Sequence, residues 1–417
     1  MGYINKFLIL VLLSFKSYSQ APIVSVGEAE IEKTRVTFST SESCNCISVA
    51  NIIRSDLQMY KHKLALYDSD LSELEDFDYE FLLSKNNEDD TYRLSIIRNK
   101  VKREAEVFSG NVNGERALAH NIAGKIYQII FNQEAIFKSK IFYISDEGVN
   151  KKGVKSKQLF VIDYDGENKK QITNHDGYVF SPAVSSDKKY AVYSVISNED
   201  RRKNVNLYLI DLETGDYRII SNFKGINSGA VFLPGNEEII LTLTHSGNAE
   251  LYKMTLSDKR LFPLTRHFAS DVDPSVSPDG KMVAFLSTRA GKPMIYTLNT
   301  EKTEYNVKRV SFVGDYNATP RFSPDGSEIV FSSWLDNKFD LFKLSSTGTN
   351  LVRLTKDHGS NEGPSYAPDG EFIVFASQKI LSESQDVKNL YIMTSEGDIL
   401  KNISTKLGRT ESPVWVK

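Results

Sequence analysis

Cysteine is almost absent: the 417 residues hold two, Cys44 and Cys46, on either side of Asn45. So sparse a supply excludes a disulfide-stapled scaffold, and the fold must rest on a hydrophobic core. No further ligands stand near the pair to make a metal site, and its spacing reads as two free thiols or an occasional local bridge. An excess of positive charge is missing too. The formal net charge is −3 and no basic run offsets it, which argues against general nucleic-acid binding, where phosphates need a cationic face. The apolar run Phe7–Leu13 is too short to span a bilayer. A Gly-x-Ser-x-Gly elbow with a domain to hold it is lacking, as are the glycine loops that cradle phosphates, so neither catalysis nor a cofactor is expected. Glu75–Asp76 and Asp89–Asp90 fall in polar connectors and read as solvent-facing charge.

What is present starts with an export signal over residues 1–19: Lys6, then Phe7–Leu13, then Ser17 and Ser19 as the small residues at the cleavage-defining positions, with cleavage expected between Ser19 and Gln20. Aromatic content of 11% and hydrophobic content of 40% supply a sizeable core. Residues 20–135 read as a small α/β domain. Thr34–Ser39 forms a strand and Ile47–Tyr60 a helix, with apolar residues at helical spacing. Three strands follow at Asp78–Leu83, Tyr92–Ile97 and Arg103–Phe108, then a helix from Gly114 to Phe131.

Residues 137–417 change rhythm. Ser181–Pro182, Ser228–Gly229, Asp273–Pro274, Thr319–Pro320, Gly363–Pro364 and Ser412–Pro413 recur roughly every 45 residues, the period of a four-stranded propeller blade. Pro278–Gly280, Pro324–Gly326 and Pro368–Gly370 then form tight turns. Apolar second strands and alternating third strands follow, with outer strands ending at Ile172–Thr173, Ile220–Ser221, Leu264–Thr265, Val310–Ser311, Leu354–Thr355 and Ile403–Ser404. The first copy, at Ile141, lacks an inner strand, and Ser412–Val416 is an inner strand with nothing after it. The C-terminus should therefore close a six-bladed ring and remove its free edges. With the ring closing at Trp415, no room for a peptidase domain is expected after it. His175, His267 and His358 share a phase just after outer strands and read as solvated loop residues rather than a threefold metal site. His120 reads as a helix-face residue at the domain junction, and His62 and His245 have no evident partner.

The Pro-x-φ-Ser-Pro-Asp-Gly phrase, with Asn389–Leu390–Tyr391 and its sisters, resembles the repeats of the TolB-type propeller family. The helix Ala117–Ile129 leading into Ala135–Tyr143 extends the likeness over the mature chain. The resemblance implies a non-enzymatic scaffold of the Tol-Pal system in the periplasm, peripheral to the envelope membranes and monomeric. It would link the lipoprotein Pal to inner-membrane Tol proteins and support outer-membrane integrity and constriction at cell division. Loops entering the inner strands would meet Pal, and the mature N-terminus, Gln20 to Glu32, would meet TolA. Carried over by position, the Pal-facing residues are Asn227, Ser228, Asp271, Asp273, Asn317, Thr319, Asn361, Glu362, Thr410 and Glu411. Their chemistry suggests an acidic funnel mouth suited to a basic or polar segment. The alternative from another class is an exported propeller enzyme, a lyase or hydrolase, acting on polysaccharide.

Overall fold

The computed structural model describes residues 32–42, 44–67, 77–98, 101–110, 114–197, 204–382, 385–404 and 407–417. The expected export signal, its cleavage point at Ser19–Gln20 and all but the last residue of Gln20–Glu32 lie outside them.

The N-terminal part is a five-stranded sheet: β1 (Thr34–Thr40), β2 (Leu64–Tyr67), β3 (Tyr79–Asn86), β4 (Thr91–Arg98) and β5 (Val101–Ser109), in the order β2-β1-β3-β4-β5. Strand β1 runs parallel to β2 and β3, while β3, β4 and β5 form an antiparallel meander. Helix α1 (Ile47–Met59) is the crossover that parallel β1 and β2 require. It buries Val49, Ala50, Ile53 and Leu57 at helical spacing. Helix α2 (Gly114–Phe131) packs on α1 and buries Leu118, Ala119, Ile122, Ala123 and Ile126 in the core it shares with that helix. Between β1 and α1 a turn, Cys44 N–H to Ser41 O at 2.9 Å, folds Cys44 back toward Cys46. Of the two readings open from their spacing the structure takes the bridge, with Cα atoms 5.2 Å apart.

From Lys140 onward the chain forms six four-stranded antiparallel sheets. The first blade joins Lys140–Ser145, Gln158–Asp163 and Lys170–Gln171 to the C-terminal strand Thr410–Val416, with Trp415 opposite Ile141. The remaining blades follow in chain order, from Gly177–Ser221 as the second to Ser360–Asn402 as the sixth. Second strands such as Met282–Ser287 are buried nearly throughout, because neighbouring blades cover both faces. One shared core, for example, packs Ile240 and Leu251 of the third blade on Val283, Phe285 and Leu298 of the fourth.

Local chemistry repeats with the blades. In the turn at Ser277–Gly280, the Ser277 hydroxyl donates to Asp279 (2.6 Å) and accepts Met282 N–H (2.9 Å), and Gly280 takes φ +73°. The two turns that depart from Pro-Asp-Gly adopt the same reversal with Lys188 and Asn236, both at φ 61°. Outer strands are shorter than the sequence suggests, and in five blades the expected terminal Ser or Thr lies just beyond the ladder. Its hydroxyl replaces a ladder bond by accepting a third-strand N–H: Thr173 from Leu159 at 2.9 Å, and Thr265, Ser311 and Thr355 from Leu251, Ile295 and Leu341 at 2.8 Å.

The N-terminal domain rests on the first and sixth blades, on the side of these hairpin turns. Tyr60 donates to Asp369 (2.8 Å), and Glu371 accepts from Tyr127 (3.1 Å) and pairs with Lys63 and His62. His62 thus has a partner that its sequence surroundings do not reveal, at 2.9 Å across the junction. His120 lies at the junction as expected, 2.7 Å from Asp56, which also accepts the Tyr164 hydroxyl of the first blade.

Candidate functional site

On the opposite side, the loop after each outer strand crosses toward the ring axis and enters the next inner strand. Every inner strand breaks its ladder at the same place. The residue there has positive φ: 48° at Ser181, 60° at Gly229, 54° at Asp273, 50° at Thr319, 62° at Gly363 and 51° at Ser412. In all blades but the third the next residue is proline. Proline has no N–H to donate and so suits a bulge, where the ladder is interrupted. Thr319 is the most strained of the set, since positive φ is an outlier for a β-branched residue. Two contacts hold it: its N–H donates to Asp273 of the adjacent blade at 2.8 Å, and its hydroxyl meets that of Ser332 at 2.9 Å. Backbone strain of this kind clusters where proteins meet ligands.

These bulges line the upper channel, a cavity of about 260 Å³ bounded by Ser181, Ser228, Asp273, Thr319, Arg321 and Ser412. Arg321 also reaches a lower cavity of about 310 Å³ formed by Pro278, Pro324, Pro368 and Trp415. The guanidinium therefore sits midway along the channel, 3.3 Å from Asp273.

The ten expected contact residues divide into two sets. Asn227, Asp271, Asn317, Asn361 and Thr410 have no exposed surface. Asn227 donates to Phe223 O (2.7 Å) and Val205 O (2.8 Å), Asn317 to Val313 O (2.8 Å), and Thr410 to Lys388 O (3.0 Å). Asn361 donates to the Thr355 hydroxyl at 3.1 Å, and Asp271 receives Arg289 at 2.6 Å. These five shape the loops from beneath. Ser228, Asp273, Thr319, Glu362 and Glu411 remain partly exposed, and the first three share the upper channel cavity. Each of the acids has a base: Arg321 for Asp273, Lys388 for Glu362 at 3.1 Å, and Lys157 for Glu411 at 2.6 Å. The acidic mouth expected from sequence is thus charge-balanced, because its bases come from other strands. Sequence reasoning also passed over Phe223, Phe268 and Phe312, exposed on three successive loops. The available signal was a large apolar residue between an outer-strand Ser or Thr and the next inner strand.

Residues 127–417 match the family model described as the TolB beta propeller domain. The chain belongs to that family. Curated relatives named Tol-Pal system protein TolB, from Francisella tularensis subsp. mediasiatica and subsp. tularensis, are 28% identical over 226 residues, which is 53% of this chain and 50% of each relative. The chain thus spans about half the length of the curated relatives it matches. The crystal structure of TolB from Acinetobacter baumannii has the same fold, with TM-score 0.75 at 22% identity over 93% of this chain and 98% of that one. A putative TolB from Agrobacterium tumefaciens matches with TM-score 0.50 at 17% identity, over 64% and 88% of the two chains.

Within this TolB-type ring the three phased histidines do different things. Among the described residues no group of three His, Cys, Asp or Glu could hold a metal ion. His267 caps its own loop by accepting Ala269 N–H at 3.0 Å, and His358 packs on Tyr391 with centroids 4.6 Å apart. His175, expected in solvent, is buried: its Nε2 lies 2.9 Å from the Tyr193 hydroxyl, and the rings of Tyr208 and Tyr217 flank it at 4.6 Å. Burial, with the nearby Lys151 charge, lowers its pKa to about 4. The unfolded chain, with an ordinary histidine, binds more protons between about pH 6.5 and 4, so stability is lost as pH falls through that window. The loss should approach ~3 kcal/mol. Urea midpoints measured from pH 7.5 to 4 should fall less steeply for His175→Gln than for the wild type. Superimposable curves would show that His175 does not titrate there.

Proposed function

We propose that this protein is a periplasmic interaction scaffold of the Tol-Pal system, binding a Pal-type lipoprotein with the loop face of its ring and inner-membrane Tol proteins through the N-terminal segment Gln20–Glu32. The observation that carries the reading is the combination of domains. A five-stranded α/β domain and a closed ring occur together in the order and proportions of a TolB fold, and the curated relatives bear the Tol-Pal name. The geometry suits a scaffold. Blades closed by a ladder between the two ends of the ring hold the loops rigidly, and the junction ties the second domain to the far side, leaving the loop face open. Among the described residues no helix is long and apolar enough to cross a membrane.

In this reading the family's non-enzymatic role extends to outer-membrane integrity and constriction at division, with occupancy of the loop face biasing the N-terminal segment. The test is co-isolation from cell envelopes using residues 20–417 as bait, followed by direct titration with the Pal domain of the same cell. Pal should be the main partner, and its absence from both experiments would contradict the proposal. Deleting Gln20–Glu32 should change the dissociation constant for Pal by at least threefold. An unchanged constant would remove the coupling while leaving the scaffold in place.

A further inference from the structure

Resting on the reading of the loop face as the partner face, a second set of observations defines what that partner must present. Phe268 and Phe312 are 89% and 70% exposed, and Phe223, Ile226, Tyr316 and Trp334 are between 37% and 44% exposed. Phe223, Ile226, Phe268 and Phe312 belong to the three successive loops from the second to the fifth blade, Tyr316 opens the inner strand after the last of them, and Trp334 lies opposite it near the adjoining hairpin end. Single exposed apolar side chains need no explanation, but a run at one phase over adjacent blades marks an interaction site. The anchors are pre-positioned. Phe268 packs on His267 with ring centroids 4.2 Å apart, Arg309 covers Phe312 at 4.5 Å, and Phe339 supports both Trp334 and Tyr316 at 5.0 and 5.9 Å. Rigid aromatics of this kind lose little entropy on binding and dominate interface energy.

Charge on these loops and on the next one, between the fifth and sixth blades, supplies the rest. The acids of the mouth are matched by bases, whereas Lys224, Arg266 and Lys356 are exposed and form no ion pair among the described residues. Against these three cations stand Asp315, which is paired with Lys292 at 2.5 Å, and the exposed Asp357. Among the described residues this stretch of the rim, from the second to the sixth blade, is therefore net basic and aromatic beside a charge-balanced channel mouth. Complementary potentials guide docking and exclude wrong partners.

We propose that this arc binds a protein segment carrying carboxylates beside aliphatic or aromatic anchors, the apolar side chains seating among Phe223, Phe268 and Phe312 and the carboxylates meeting Lys224, Arg266 and Lys356. That is the reverse of the basic partner an acidic mouth would select.

A photo-crosslinking amino acid placed at position 268 or 312 in the full chain, in living cells, tests it. The cross-linked peptide, identified by mass spectrometry, should contain Asp or Glu next to large apolar residues. For the purified soluble domain of that partner, the pair Phe268→Ala and Phe312→Ala should weaken binding at least tenfold, as should Lys224→Glu with Arg266→Glu. Changing the captured acid to Lys should restore binding to the second pair only. A basic cross-linked segment, no cross-link at either position, or wild-type affinity in both double variants would overturn the inference. If the captured partner is not a Pal-type lipoprotein, the functional reading fails, and the composition of the peptide still decides the chemistry of the arc.

Discussion

Trp415→Ala should destabilise the protein by ~3–5 kcal/mol, the range for truncating a large core aromatic. Trp415 is 5% exposed and lies in the core cluster that also holds Tyr143, Phe160, Val374 and Leu390, so it joins the first blade to the sixth. Its indole N–H donates to the Ser139 hydroxyl at 2.8 Å, and its backbone N–H donates to Ser365 of the sixth blade at 3.0 Å. Alanine removes the ring, leaves the Ser139 hydroxyl with a lost partner and loosens the one strand that closes the circle. Since an opened ring exposes two unpaired edges, loss of stability should come with association at raised concentration. Urea unfolding and light scattering measure both. A loss under 1 kcal/mol with unchanged solution size would mean that closure does not depend on this strand.

Asp271→Ala should cost about 3 kcal/mol while Asp273→Ala costs under 1 kcal/mol, although both acids fall in one inner strand and both read from sequence as partner contacts. Asp271 has no exposed surface and receives Arg289, itself only 12% exposed at the side chain. Removing it leaves a buried guanidinium with Glu304 alone, at 2.6 Å. That remaining carboxylate keeps the expected cost at the low end of the range for a broken buried pair. Asp273 is partly exposed on the channel, where solvent can replace it on the Thr319 N–H that it accepts at 2.8 Å, and its partner Arg321 retains the Pro320 carbonyl at 2.7 Å. Thermal and urea unfolding of the two variants should separate clearly. Equal stability would show that the Asp271–Arg289 pair does not hold the loop.

The ring was legible because its periodicity is long and its punctuation is chemical. The inner strand missing before Ile141 and the spare one at Pro413 together predict the pairing of the two, and the register confirms it. Strand β2 is not evident in the sequence because its four residues follow the helix after only a short turn, at 60–63, and do not alternate. Outer-strand ends were misplaced because a Ser or Thr hydroxyl can stand in for a ladder bond, which sequence does not distinguish from the ladder itself. The partition of the mouth was hidden for a related reason. In a regular strand Asp271 and Asp273 would share a face, but a bulge and positive φ intervene at Asp273, and Arg289 clasps Asp271 beneath its own loop. Charge balance depends on Arg321, Lys388 and Lys157, which lie far in sequence from the acids they meet. His175 looked solvated for want of knowing that Tyr193, Tyr208 and Tyr217 gather around it.

The central claim, that the loop face of a closed ring is where the envelope partner docks, is tested most directly by hydrogen exchange on the full chain with and without the Pal domain. Protection should concentrate in residues 222–227, 266–271 and 312–317 and leave the turns 277–281 and 323–327 unchanged. Protection confined to those turns or to the N-terminal sheet would contradict the account.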